Sequence, residues 1–164
     1  MSKQIQFTKT GSPDVLQIVD VAVPAPKAHE VQIQIHAIGL NRAEMMYREG
    51  AYVIDPVFPA TLGYEGAGVV TAIGDGVSEF AIGDKVSVIP SFMFTEYGTY
   101  GELVNMPVHA VVKHPVNLTM EQAAARWMMF VTAYGGLIEF GKVQKGDVVV
   151  LGGATSSVGI AAIE

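Results

Sequence analysis

The chain has 164 residues, half of them apolar, with 16 acidic against 10 basic side chains and a formal net charge of −6. That balance belongs to a compact folded protein, and the acidic sign without any Lys/Arg run excludes a surface built to neutralise nucleic-acid phosphates or anionic lipid. Zero cysteines exclude a disulfide framework, a thiolate nucleophile and a cysteine-based zinc site. No apolar stretch reaches the roughly 18–20 residues needed to span a bilayer, and no secretory pattern follows Met1. The expectation is therefore a cytoplasmic protein with a small-molecule partner, no nucleic acid and no membrane.

The 18 glycines and eight prolines are dispersed, as turn punctuation between many short elements. Residues 31–37 alternate strictly, so Val31, Ile33, Ile35 and Ala37 should point into a core while Gln32, Gln34 and His36 face out. Similar strands are expected at 4–7, 16–21, 68–73, 85–89, 101–104 and 110–113, with turns at Gly74-Asp75-Gly76 and Gly83-Asp84. So many short strands suggest a small barrel.

The pattern changes at Thr119-Met120-Glu121-Gln122, a capping box that opens a helix. This helix should run through Phe130 and end near Gly135-Gly136 with a left-handed glycine cap, and a second short helical piece should end near Gly141. Within it, Trp127, Met128, Phe130 and Val131 read as a core stripe. Val148-Val149-Val150-Leu151 is the continuous apolar run of a central parallel strand buried on both faces. The glycine-rich turn after it leads into a helix. Against the dinucleotide fingerprint its three positions are Ala154, Ser156 and Gly159, small enough for backbone N–H groups to approach a pyrophosphate. On these residues alone, a plain strand-to-helix turn fits equally well.

Several motifs occur together and in order: Gly39-Leu40-Asn41-Arg42-Ala43-Glu44, Gly63-Tyr64-Glu65-Gly66-Ala67-Gly68, Gly83-Asp84-Lys85-Val86, Gly98-Thr99-Tyr100-Gly101-Glu102, Thr132-Ala133-Tyr134 and Gly146-Asp147-Val148-Val149-Val150. Over nearly its whole length the chain thus resembles the medium-chain dehydrogenase/reductases. The resemblance implies a mostly β, GroES-like barrel domain over 1–118. It implies that 119–164 form a linking helix and the first strand, phosphate turn and helix start of an incomplete α/β Rossmann domain.

At the three positions where zinc-dependent members of that superfamily carry metal ligands, this chain has Asn41, Tyr64 and a residue near Met128, and the cysteine-rich structural zinc lobe is missing between Val88 and Gly98. Amide, phenol and thioether make no credible zinc site. The resemblance therefore narrows to the zinc-independent quinone oxidoreductase branch. It implies hydride transfer from NADPH to a quinone or other electron-poor carbonyl or enone, with no zinc, and a homodimer in the full-length form. It also implies that Asn41 and Thr132 lie against the nicotinamide and its ribose, and that Ser156, Ser157, Val158 and Gly159 hold the pyrophosphate.

Among the cleft tyrosines Tyr47, Tyr52 and Tyr64, Tyr52 is the preferred catalytic candidate beside Asn41, because it follows Gly50-Ala51 outside any periodic element and a phenol can bond or protonate a carbonyl. Taken without the resemblance, Asn41 equally suits a local left-handed turn, Thr132 a buried helix, and each tyrosine a packing role. Glu65 is expected to bond backbone around the cleft. The four histidines His29, His36, His109 and His114 show no metal-pair or triad spacing and read as solvated or locally bonded. Enoyl reduction, or a non-catalytic NADPH-binding relative, are the competing functions. The residue that would discriminate NAD from NADP through the ribose is expected about 20 positions after the turn, beyond Glu164. With the rest of the Rossmann sheet missing, these 164 residues alone are expected to show neither reductase activity nor tight NADPH binding.

Overall fold

The structure is a computed structural model describing all residues, Met1–Glu164. Its centre is a five-stranded antiparallel sheet in the order β7-β3-β5-β6-β8, built from β3 (Glu30–Ile38), β5 (Gly66–Ile73), β6 (Lys85–Val88), β7 (Leu103–Pro107) and β8 (Val111–Lys113). A second sheet, β2-β1-β4, comprises β1 (Ser2–Phe7), β2 (Gln17–Val21) and β4 (Ala60–Thr61). The sheets meet where β1 passes the chain before β7: Ile5 N donates to Tyr100 O (2.8 Å) and Glu102 N to Lys3 O (2.9 Å). The five-stranded sheet curls into a half-barrel.

The alternation in β3 does what its period predicts. Val31 and Ile33 are fully buried and His36 is exposed, while Ile35 and Ala37 are half-buried where irregular pairing with β5 sets in between Ile35 and Ala37. Val31, Ile33, Val70, Val86, Val88 and Met106 form the heart of the core with Phe7 and Tyr47. Close strand approach fixes Gly68, where a Cβ would fall onto the carbonyl oxygen of Gln34 on β3.

Several expectations need correction. Residues 42–49 form a helix, α1 (Arg42–Glu49), where only strands and turns were expected; Gly50 closes it in the left-handed conformation at φ 72°. The strand expected at 101–104 lies later, as β7, because the earlier residues bond β1 instead. The helix opened by Thr119 is broken in two. α2 (Met120–Ala124) keeps its capping box and packs on β3, β5 and β6, with Ala123 and Ala124 against Ala67. α3 (Trp127–Tyr134) starts afresh because the N–H of Met128 is drawn to the Glu65 carboxylate instead of continuing the ladder.

Gly135 is right-handed (φ −57°), so no left-handed cap forms there, and the chain runs on as a π-helical segment, Gly135–Phe140, closing at Gly141. Within α3 only Ala133 is buried, so the expected core stripe is a half-exposed face, with Val131 exposed. The run 148–151 pairs with no strand, and Val148 and Val150 are 90% exposed, so the burial that its composition suits is not met within these residues. α4 (Ser157–Ile163) follows and packs against α3. No helix is long and apolar enough to cross a membrane.

Two glycine variants separate close packing from backbone conformation. Gly83 has φ +94° and only open space where an added Cβ would point, so Gly83→Ala should cost about 1–2 kcal/mol of strain alone. Gly68→Ala must push its strand away from β3 and should cost more. Urea midpoints of both variants give the comparison; equal losses would contradict this packing.

Candidate functional site

The loop that leaves β3 turns at Gly39 and enters α1 through Asn41, which is the N-cap in extended conformation (φ −128°), so the left-handed option for it is not used. The first turn of α1 is held by its own third residue. Glu44 Oε2 accepts from Asn41 N (2.7 Å) and from Tyr100 Oη (2.8 Å), and Glu44 Oε1 accepts from Tyr64 N (3.1 Å). Glu44 is buried with no cation paired to it, and burial pushes its carboxyl above the usual 4.5 against the pull of these bonds. Desolvation likewise raises the Tyr100 phenol.

A second buried carboxylate lies beside the first. Glu65 Oε1 accepts from Asn41 Nδ2 (3.0 Å) and Glu65 Oε2 from Met128 N (3.0 Å), at the start of α3. Glu65 therefore bonds backbone around the cleft, as expected, and joins barrel to helix. One turn further along α3, the Thr132 hydroxyl donates to Met128 O (2.6 Å). Thr132 is exposed on α3, not buried in it. Asn41 and Thr132 are thus brought to the two ends of one short relay, Asn41–Glu65–Met128–Thr132.

Above this relay stands an aromatic stack. Phe94 lies between Tyr64 (centroids 3.7 Å apart, stacked) and Tyr47 (4.7 Å, stacked), and Tyr52 covers the stack at 6.4 Å from Tyr64 and 5.8 Å from Phe94. Tyr52 Oη and Tyr64 Oη are 3.4 Å apart. Of the three candidate tyrosines only Tyr52 is partly exposed. Tyr47 is completely buried and burial raises its pKa, so it packs in the core. Tyr64 is buried too, and desolvation raises its phenol strongly, followed by the bond and field of Tyr52.

Asn41 and Met128 both bond Glu65, and Tyr64 precedes it in the chain. The three positions that the resemblance equates with metal ligands are therefore neighbours. They offer an amide already engaged, a phenol held protonated and a thioether, a donor set that does not fit zinc. The histidines do not join them. His36 and His29 are exposed, His109 bonds Ser91 O (3.1 Å), and His114 departs from expectation by being buried against Ser87 Oγ (3.3 Å).

At the far end, Ser156 caps α4 by accepting from Gly159 N (3.0 Å), while Ser157 is exposed and Val158 half-buried in its first turn. A Cβ at Gly159 would fall onto Gly153 O, so this glycine lets the turn close tightly. Gly153, in the left-handed region at φ 68°, is a further turn residue outside the three fingerprint positions. A cavity of about 340 Å³ lies elsewhere, between β1, β2 and the end of β3, lined by Ile5, Ile18, Ile35, Ile38 and Tyr100. It contains none of the expected site residues.

Fold and site together define a curled GroES-like domain tied to the following helix by a carboxylate bridge. Residues 27–116 match the alcohol dehydrogenase GroES-like domain. The chain is 37% identical to the quinone oxidoreductase of Homo sapiens, across 100% of this chain and 49% of that protein. Among solved structures it superposes on the human synaptic vesicle membrane protein VAT-1 homolog-like protein with a TM-score of 0.90 (34% identity, covering 98% of this chain and 50% of that one). It superposes on a Pseudomonas syringae pv. Tomato DC3000 quinone oxidoreductase with a TM-score of 0.87 (37% identity, 99% and 48% covered). The chain belongs to the alcohol dehydrogenase GroES-like family, within the medium-chain dehydrogenase/reductase superfamily, and spans about half the length of the relatives it matches.

The buried Glu44 carboxyl makes stability pH-dependent in a defined direction. A carboxyl whose folded pKa stands above its unfolded value of about 4.5 contributes stability that is full below that value and is lost as pH rises through the folded pKa. Glu44→Gln should remove this slope. It should also cost about 1–3 kcal/mol, because three donors converge where the amide offers one acceptor. Thermal melts of both proteins across this range are the measurement; an unchanged slope in the variant would assign the pH dependence to another group.

Proposed function

We propose that this chain is the barrel and cofactor-entry portion of a zinc-independent, NADPH-dependent oxidoreductase that passes hydride to a quinone or other electron-poor carbonyl or enone. The observation that carries this reading is the relay: Asn41 and Thr132, far apart in sequence, are tied through Glu65 and Met128. The similarity to quinone oxidoreductases supports it.

When bound, the nicotinamide supplies the hydride. Asn41 and Thr132 would orient its carboxamide and ribose, the amide through the valence left after Glu65 and the hydroxyl as an acceptor, since its proton is given to Met128 O. The residues fit that task because neither competes for hydride. Ser156, Ser157, Val158 and Gly159 would present the first turn of α4 to the pyrophosphate. Tyr52 would bond the substrate oxygen and give it a proton as hydride arrives, leaving the two-electron-reduced product; Tyr64, 3.4 Å away, holds the phenol in place. The donor set at Asn41, Tyr64 and Met128 supports a reaction with no Lewis-acid metal. We place the junction between barrel and nucleotide-binding domains at 118/119, with a small-molecule substrate, a cytoplasmic setting and a homodimer for the full-length form.

In the full-length form, Asn41→Ala and Thr132→Val should each raise KM for NADPH about tenfold or more, the scale of one lost hydrogen bond to a cofactor, while Tyr47→Phe leaves it within about twofold. Chelators should leave quinone reduction unchanged. Steady-state kinetics decide this, and equal, small effects at residues 41, 47 and 132 would remove Asn41 and Thr132 from the cofactor site.

The 164-residue chain alone should show no micromolar NADPH binding by calorimetry, because the run 148–151 that should brace the phosphate turn is exposed and unpaired. One micromolar site per chain would contradict that.

A further inference from the structure

Glu65 is the side chain at the centre of the relay, bound directly to Asn41 and, through Met128, linked to Thr132, and the reaction as proposed does not use it. It is 3% exposed, and no lysine, arginine or histidine forms an ion pair with it. A carboxylate buried without a cation is costly unless its lone pairs are met by donors. Here they are met by Asn41 Nδ2 and Met128 N, both at 3.0 Å. The backbone is shaped around it as well. A Cβ on Gly39 would lie 2.5 Å from Glu65 Cγ and Oε1, and the Glu65 carbonyl accepts from Thr99 Oγ1 (2.9 Å) and Gly39 N (3.2 Å).

We infer that Glu65 is a positioning residue for the nicotinamide cofactor, its carboxylate bridging Asn41 Nδ2 and Met128 N so that Asn41 and Thr132 are presented together. This rests on the reading of Asn41 and Thr132 as cofactor contacts. The bridge has a strict polarity, because both partners are donors and both oxygens must accept. Glutamine supplies one acceptor and one donor. In Glu65→Gln the amide nitrogen must therefore either face the Met128 N–H unpaired or force the Asn41 amide to turn over.

The exchanged pair N41D/E65Q restores the balance. The new glutamine amide accepts from Met128 N and donates to the new aspartate, the net charge is unchanged, and aspartate remains a good helix N-cap. Asn41→Asp alone sets two carboxylates against each other.

The experiment is amide NMR of the chain with NADPH titrated into the millimolar range, following Asn41, Met128 and Thr132 at a temperature where every variant is folded. Expected in Glu65→Gln are at least about tenfold faster exchange at the Met128 amide and at least about fivefold weaker NADPH binding. The pair N41D/E65Q should bind more tightly than either single variant and recover the Met128 protection. Gly83→Ala, destabilised at a distance, should bind NADPH as the parent does, which a general loss of stability would not allow. Unchanged affinity in Glu65→Gln, or purely additive losses in the pair, would overturn the positioning role and leave the cofactor reading standing. A parent chain in which NADPH moves neither Asn41 nor Thr132 would sink the cofactor reading itself, and the positioning role with it.

Discussion

Two carboxylates buried without a cation set the terms for the rest of this structure. Glu44 and Glu65 are stable in the core only because backbone and side-chain donors are brought to them, and Asn41 serves both, through its N–H to Glu44 and its side-chain amide to Glu65. The demand shapes the local chain. α1 starts where Glu44 can reach back to its N-cap, Gly39 carries no side chain because Glu65 lies over it, and α3 starts where Met128 N can reach Glu65. Glu65 also sits at the positive end of α3, where a carboxylate is favoured. The junction between barrel and helix is thus defined by hydrogen-bond need as much as by apolar packing.

Most of the sheet was legible because its signal is local. Strict alternation in β3, and turns at Gly76 and Gly83 that prove left-handed, fix elements from a few residues at a time. α1 carries a local signal as well: Asn41-x-x-Glu44 followed by Gly50 has the same start and stop grammar as Thr119-x-x-Gln122. The break between α2 and α3 was not legible, since nothing near Arg126 announces it. Its cause is a carboxylate 63 residues away in the chain. The run 148–151 shows the converse limit. Its composition states where it would be stable, in the middle of a sheet, but an apolar run cannot pair by itself.

The site divides in the same way. Asn41 and Thr132 came from the likeness of whole motifs, since an asparagine at a turn and a threonine in a helix say little alone. Tyr52 was set apart from Tyr47 by its place after Gly50-Ala51, and the structure agrees in burial, with Tyr47 fully buried and Tyr52 only partly so, both packed on Phe94. Glu65 was placed correctly as a backbone-bonding residue. Its partners were invisible, because they belong to two elements that meet only in the folded chain. Sequence periodicity encodes burial, whereas polar networks encode pairings over long separations.

The bridge also explains how a cleft can keep its shape when its three ligand-like positions hold Asn41, Tyr64 and Met128. A coordinated metal would fix such residues rigidly through strong bonds to one centre. Here the centre is a side chain of the protein, and two charge-assisted hydrogen bonds, each worth about 1.5–3 kcal/mol, do the joining. That sum is a few kcal/mol. It is enough to hold Asn41 against α3 while the barrel stays folded, and it is small beside the core built on Val31, Ile33 and Val70. The joint between barrel and helix is therefore weaker than the elements it joins, so changes at Glu65 should alter the relation of Asn41 to Thr132 before they alter the fold.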